Sequence, residues 1–178
     1  MSFLAGLPSG YLYRYMAQEI MKINLNPSKI ENTEEIVTLL KRSIIEICGP
    51  DYDNSKTILN NWLVNKTPEN LTKWIKDKNN ISVSAIVDEK IVGFCMANVN
   101  GEILLLYVLP NNICEGIGRS MYLYIENILK AKNVKIVTAF STITAAPFYN
   151  HMGFNRNEDS KELDEMNGEV KFEKSIAI

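Results

Sequence analysis

The sequence predicts an α/β domain with a mixed central sheet flanked by helices. Three observations carry that prediction. Apolar residues recur at helical spacing through residues 33–77, then alternate from residue 81 onward. Three strand patterns, 81–87, 91–99 and 102–109, follow one another through short turns, the second turn holding Asn100-Gly101. A long helix, a buried strand, a short helix and a last strand then alternate to the C-terminus.

The elements can be justified in order. A strand is expected from Met21, where Lys22-Ile23-Asn24-Leu25 alternate polar and apolar before Pro27. Asn32 or Thr33 caps the first helix, with Glu34 and Glu35 in its first turn. Ile36, Leu39, Leu40, Ile44, Ile47 and Cys48 continue it until Gly49-Pro50. A second helix, about 55–65, sets Ile58, Leu59, Trp62 and Leu63 on one side. Thr67-Pro68-Glu69 starts a third, the proline standing where a helix amide needs no partner. Trp62 and Trp74, spaced with leucines and isoleucines, are expected in the core. Asp88-Glu89-Lys90 joins the first two strands of the meander. The long helix, 116–132, faces Ile117, Met121, Ile125, Ile128 and Leu129 inward. Residues 134–140 form a buried strand and 145–152 a short helix closed by Gly153. After an acidic loop at 159–167, residues 170–178 supply a last edge strand.

Residues 1–20 stand apart from a domain at 21–178. Gly6, Pro8 and Gly10 precede Tyr11, Tyr13 and Tyr15 around Arg14, without the basic start or cleavage site of a secretory signal. They read as an extension or alternative start; the other reading is an aromatic arm packed on the domain or on a second copy.

Composition narrows the function. A chain of 178 residues with 46 % hydrophobic residues suits one domain with a sizeable core. With 19 Lys+Arg against 21 Asp+Glu, the net charge of −2 argues against nucleic acid as partner. No apolar run approaches the ~20 residues of a transmembrane helix, so no membrane partner is expected. The three scattered cysteines, Cys48, Cys95 and Cys114, read as buried thiols in a reducing, cytoplasmic compartment. A single histidine, His151, argues against a multi-histidine metal centre and a Ser/His/Asp triad, and no metal is expected.

The chemistry concentrates where a strand meets a helix. Leu104-Leu105-Leu106-Tyr107-Val108-Leu109-Pro110 stops at proline and feeds Gly116-Ile117-Gly118-Arg119-Ser120 into the long helix. Glycines let backbone amides approach an anion, the helix start favours negative charge, and Arg119 and Ser120 add donors. A dinucleotide fingerprint would need Gly or Ala at Met121 and an acid at Ser141. A Walker loop would need Gly-Lys-Ser/Thr. Neither is present, so the cradle is of another kind.

These segments resemble the GNAT superfamily of acyl-CoA-dependent N-acetyltransferases. Ile113-Cys114-Glu115-Gly116-Ile117-Gly118 is similar to the family's Gln/Arg-x-x-Gly-x-Gly/Ala loop, departing only at Ile113. That departure removes a side-chain contact and leaves the amide cradle. Ala145-Ala146-Pro147-Phe148-Tyr149-Asn150-His151-Met152-Gly153-Phe154 is similar to the family's Ala-x-x-Phe-Tyr-x-x-x-Gly-Phe segment. The resemblance covers about residues 21–178.

The resemblance implies acetyl-CoA as co-substrate and a sheet that splits after the strand ending at Val108, with the thioester in the V. Backbone amides of Leu106, Tyr107 and Val108 would grip the pantetheine arm and polarise the thioester carbonyl. Ile113, Cys114, Glu115, Gly116, Ile117, Gly118, Arg119 and Ser120 would hold the pyrophosphate. Thr142 stands where many relatives carry Asn against the CoA arm.

Tyr149 is the candidate general acid, since expelling CoA thiolate is eased by a neutral, protonated donor near the sulfur. Glu102, fourteen residues before Gly116, is the candidate base, with a water relay as its competitor. His151 reads as a surface residue and Cys114 as a loop filler. Asp51, Tyr52 and Asp53 form a capped polar turn in the region where the family lines its acceptor cleft. The implied reaction moves an acetyl group from acetyl-CoA to a primary amine of a small molecule, polyamine, peptide or protein, by direct attack in a ternary complex. A non-catalytic acyl-CoA sensor or scaffold is the alternative, and a homodimer is among the expected assemblies.

Overall fold

The computed structural model of the chain describes residues 22–156 and 170–177. The N-terminal extension and the acidic loop at 159–167 lie outside those residues.

The chain enters as a short strand, β1 (Asn24–Pro27), and turns into helix α1 (Thr33–Ser43). The Thr33 hydroxyl donates to Ile30 O at 3.0 Å, and Glu34 and Glu35 occupy the electropositive first turn. Helix α1 stops five residues short of the expected end. From Ile44 to Cys48 the backbone widens into a π-helical turn, followed by a 3-10 turn over Gly49–Tyr52. The wider turn keeps Ile44 and Cys48 both buried, a compromise that simple helical spacing does not reveal. Helices α2 (Lys56–Leu63) and α3 (Pro68–Lys76) follow, α3 capped by Thr67, whose hydroxyl accepts from Asn70 N at 3.2 Å.

The antiparallel meander is β2 (Asn80–Val87), β3 (Lys90–Asn98) and β4 (Glu102–Val108). Helix α4 (Ile117–Ala131), β5 (Ile136–Ser141), helix α5 (Ala146–His151), β6 (Asn155–Arg156) and β7 (Val170–Ser175) complete the order. Among the described residues, seven strands form one mixed sheet, β1-β2-β3-β4-β5-β7-β6, in which β4 and β5 are the one parallel pair. The last strand is therefore not an edge. It pairs with β5 from Ile136↔Ser175 to Ser141↔Val170, and the two-residue β6, too short to leave a periodic signal, covers its other side.

Helices cover both faces. Strand β3 directs Phe94 and Met96 into one core with Ile36, Leu39 and Leu40 of α1 and Leu71 of α3. It directs Cys95 and Ala97 into the other, with Met121, Ile125 and Leu129 of α4. Gly93 is what lets α4 come this close, because a Cβ there would lie 2.8 Å from Met121 Cε and 2.9 Å from Ile117 Cγ2. This packing sets where the first turn of α4 points. Among the described residues, no helix is long and apolar enough to cross a membrane.

One joint in the sheet is thin. Strands β4 and β5 share only Glu102↔Thr138 and Ile103↔Ala139, then diverge. Leu104 marks the divergence: Met96 pairs with Leu105 and Ala97 with Ile103, so Leu104 is a bulge, 40 % exposed.

Candidate functional site

The diverging strands open a cleft of about 860 Å³. One wall is β4, the second is the β5–α5 segment, and the α1–α3 region closes a third side through Ile47, Cys48, Trp62 and Lys66. At the C-terminal end of β4 the cleft runs into the turn that starts α4.

Hydrogen-bond phase decides which backbone groups of β4 face the opening. Leu109 N donates to Val92 O at 2.8 Å, and the antiparallel register continues through Tyr107↔Phe94 and Leu105↔Met96. Alternate residues therefore point their N–H and C=O at β3, and Leu106 and Val108 point theirs into the cleft. The expectation that Leu106, Tyr107 and Val108 act alike needs correcting: the Tyr107 amide belongs to the ladder with β3. Val108 C=O already accepts from the Ser43 hydroxyl at 2.5 Å, while its N–H remains on the cleft side.

The turn before α4 is built from special backbone. Cys114 has φ +63° and Gly116 φ +81°, both left-handed. A Cβ on Gly116 would meet nothing within 4 Å, so the glycine is there for its conformation and open space lies before it. The first intrahelical bond runs from Ser120 N to Gly116 O at 2.9 Å, which leaves the amides of Ile117, Gly118 and Arg119 as open donors of the helix start. Ile113, Cys114, Gly116, Ile117, Gly118 and Arg119 all line the cleft. Glu115 and Ser120 are not on its lining. The Glu115 carboxylate accepts from Asn112 Nδ2 at 3.0 Å, and the Ser120 hydroxyl donates to Gly116 O at 3.0 Å, so both consolidate the turn.

Tyr149 borders the cleft and is 5 % exposed. Its ring stacks on Phe172 at 5.7 Å and meets the edges of Phe148 and Phe154, each at 5.3 Å. That packing leaves one ring orientation. Thr142 is buried on the same wall, its hydroxyl accepting from Ala145 N at 3.3 Å, so it shapes the entry to α5. His151 is exposed at the rim.

Glu102 lies half-buried at the closed end of the V. Asn98 fixes it, donating from Nδ2 to Glu102 Oε2 at 3.1 Å while its Oδ1 accepts from the Glu102 and Asn100 amides at 3.0 Å each. Sequence reasoning missed Asn98, although an asparagine two residues before Asn-Gly is the signature of a side chain capping its own turn. It also missed Ser43 and Leu104, whose roles depend on register rather than pattern. Trp62, expected in the core, lines the cleft with its ring edge-to-face against Tyr52 at 5.6 Å. Asp51 forms part of the expected polar turn, and its partner is the distant Thr144, which donates its N–H at 2.9 Å and its hydroxyl at 2.7 Å.

Comparison with known proteins agrees with this geometry. A search of curated protein sequences finds no match. The fold is similar to the PaiA N-acetyltransferase of Thermoplasma acidophilum, solved with coenzyme A: TM-score 0.73, 21 % identity, covering 87 % of this chain and 99 % of that one. It is similar to a GCN5-related N-acetyltransferase of Rhodopseudomonas palustris: TM-score 0.74, 21 % identity, 89 % and 99 % covered. It is also similar to the ribosomal-protein-S18-alanine N-acetyltransferase of Escherichia coli: TM-score 0.61, 11 % identity, 88 % and 96 % covered. A sequence profile described as an acetyltransferase (GNAT) domain matches residues 48–168, which include most of the cleft lining, the glycine turn and the Tyr149 helix. With a profile of that family matching well over half of its length, the chain belongs to the GNAT acetyltransferases.

Proposed function

We propose that the protein transfers an acetyl group from acetyl-CoA to a primary amine by direct attack in a ternary complex. The observation that carries this reading is the continuity of the cleft. It runs from the open amides of α4 along the cleft-facing backbone of Leu106 and Val108 to Glu102 at the closed end. An extended acyl-pantetheine with a pyrophosphate at one end and a thioester at the other fits that sequence of groups.

In this reading the amides of Ile117, Gly118 and Arg119, with the Arg119 guanidinium, hold the pyrophosphate. Leu106 and Val108 bond the pantetheine amides, and an N–H from that strand donates to the thioester oxygen as it gains charge. Such a donor contributes a factor of about 10²–10³ to the rate. The acceptor arrives largely as ammonium, since a lysine-like amine has a pKa of about 10.4, so a base must remove a proton before attack. Glu102, oriented by Asn98, takes that proton directly or through a water. The amine attacks the thioester carbon, the C–S bond breaks, and Tyr149 donates a proton toward the departing thiolate. Thr142, on the second wall, accepts from Ala145 N and keeps its hydroxyl proton to offer the CoA arm.

The test is release of free CoA from acetyl-CoA with amines presented singly: a monoamine, a polyamine, an amino acid and a lysine peptide. Turnover on any of them, with CoA bound in titration calorimetry, supports the reading. CoA bound tightly and never released by any amine would favour a sensor instead.

A further inference from the structure

From the last residue of α1 to the start of α2, the chain is tied to both arms of the V. At one end Ser43, 1 % exposed, donates to Val108 C=O of β4 at 2.5 Å. At the other, the Asp51 carboxylate accepts from the Thr144 N–H at 2.9 Å and its hydroxyl at 2.7 Å. Thr144 lies between β5 and α5, the helix that carries Tyr149. Residues 43–51 thus form a strap from one arm to the other, and Ile47 and Cys48 in its middle line the cleft. Beneath the strap the arms have already separated, since β4 and β5 pair only at their first residues.

The two ties are unequal. Ser43 is sealed inside the protein, whereas the Asp51–Thr144 bonds face solvent, where water competes for both partners. Just after the exposed tie, Asp53 and Asn54 adopt φ +51° and +54°, a backbone change of direction between the strap and α2.

We infer that Asp51 is a positioning residue for the reaction: clasped to Thr144, it holds the strap shut across the occupied cleft and fixes the loop from which α5 and Tyr149 start. The inference rests on the reading of the cleft as an acyl-CoA site. What matters is the pair of hydrogen bonds, so asparagine, which keeps a carbonyl acceptor for the Thr144 N–H and an amide for its hydroxyl, substitutes for the aspartate.

The experiment is stopped-flow release of coenzyme A from the full chain, followed by tryptophan fluorescence with Trp62 on the cleft wall as reporter. Asp51→Ala is expected to release CoA about fivefold faster, the factor for losing exposed hydrogen bonds, with its thermal midpoint lowered by no more than about 3 °C. Asp51→Asn is expected within about twofold of wild type, and Asp51→Ala/Thr144→Val no faster than Asp51→Ala alone. Release from Asp51→Ala at the wild-type rate overturns the inference, as does Asp51→Asn behaving like Asp51→Ala. If Asp51→Ala does not fold, Thr144→Val carries the test: faster release supports the clasp and an unchanged rate sinks it. If the wild-type chain binds no CoA at all, the cleft reading itself fails, and the clasp with it.

Discussion

Tyr149 is held by three phenyl rings, with Phe148 and Phe154 edge-on and Phe172 stacked, so its orientation is set before any ligand arrives. In the proposed role of proton donor, a hydroxyl fixed in this way would lose little entropy. Replacing Tyr149 with phenylalanine preserves the ring packing and deletes only the hydroxyl. The expected outcome is a fall in kcat of about a hundredfold with CoA affinity within about threefold, read by steady-state kinetics and calorimetry. Unchanged kcat in a folded Tyr149→Phe protein would remove the tyrosine from the reaction. At this scale the sequence singled out Phe148-Tyr149 and Gly116-x-Gly118 by residue type and neighbours, and all four residues line the cleft. It was silent on Ser43 and Thr144, whose partners are 65 and 93 residues away. Nor could it say that Glu102 is held by Asn98 across a turn rather than left in solvent.

The start of α4 shows how packing and backbone conformation aim a helix end into the cleft. Its inner face is pressed onto β3 at Gly93, and its first turn is released into the cleft by the left-handed Gly116. An alanine at Gly116 has room for its methyl group but not for its backbone. Left-handed backbone costs a non-glycine residue roughly 1–2 kcal/mol, and relaxing it reorients the amides that follow. Gly116→Ala is therefore expected to lower the thermal midpoint by a few degrees, about 3–6 °C, and to weaken CoA binding at least tenfold. Loss of stability with CoA affinity intact would mean that the cradle does not depend on this backbone. The glycines were legible because only glycine combines such a turn with close approach. The π-helical turn after α1 was not, because Ile44, Ile47 and Cys48 satisfy ordinary helical spacing equally well. The interior position of β7 escaped prediction for a related reason: an alternating strand pattern does not specify its neighbours.

At the scale of the whole molecule, the packing of α4 against the β7 side of the sheet is reinforced by a buried ion cluster. Glu126 of α4 is 5 % exposed and accepts from Lys130 at 2.7 Å and from Lys174 of β7 at 2.6 Å. Burial alone would raise its carboxyl pKa, but the hydrogen bonds from Lys130 and Lys174 outweigh it and hold the value near 2, below the ordinary 4.5. A carboxyl depressed in the folded state stabilises the fold fully above its unfolded pKa and loses that contribution as pH falls through the folded one. Wild type should therefore lose stability between about pH 4.5 and 2 more steeply than Glu126→Gln. At pH 7 the variant should be roughly 3 kcal/mol less stable, with the gap closing toward pH 2. Chemical denaturation at pH 7, 4 and 2.5 checks this, and parallel pH curves for the two proteins would contradict it. The α/β class and the order of the longer elements were readable from periodicity, because burial imposes it on them; the two exposed residues of β6 carry no such pattern.

The thin joint between β4 and β5 has a consequence for mechanical coherence. Strands β1 to β4 are stitched side by side, as are β5, β7 and β6, but only two residue pairs stitch one group to the other. The sheet is in effect two panels on a short hinge, with α4, its ion cluster and the strap as the fastenings between them. The cleft along that seam is lined by both panels, so under the proposed function a bound acyl-CoA would lie against each and add contacts across the joint. Occupancy should then merge two separately opening units into one, so that the protein's cooperativity on unfolding belongs partly to what it holds.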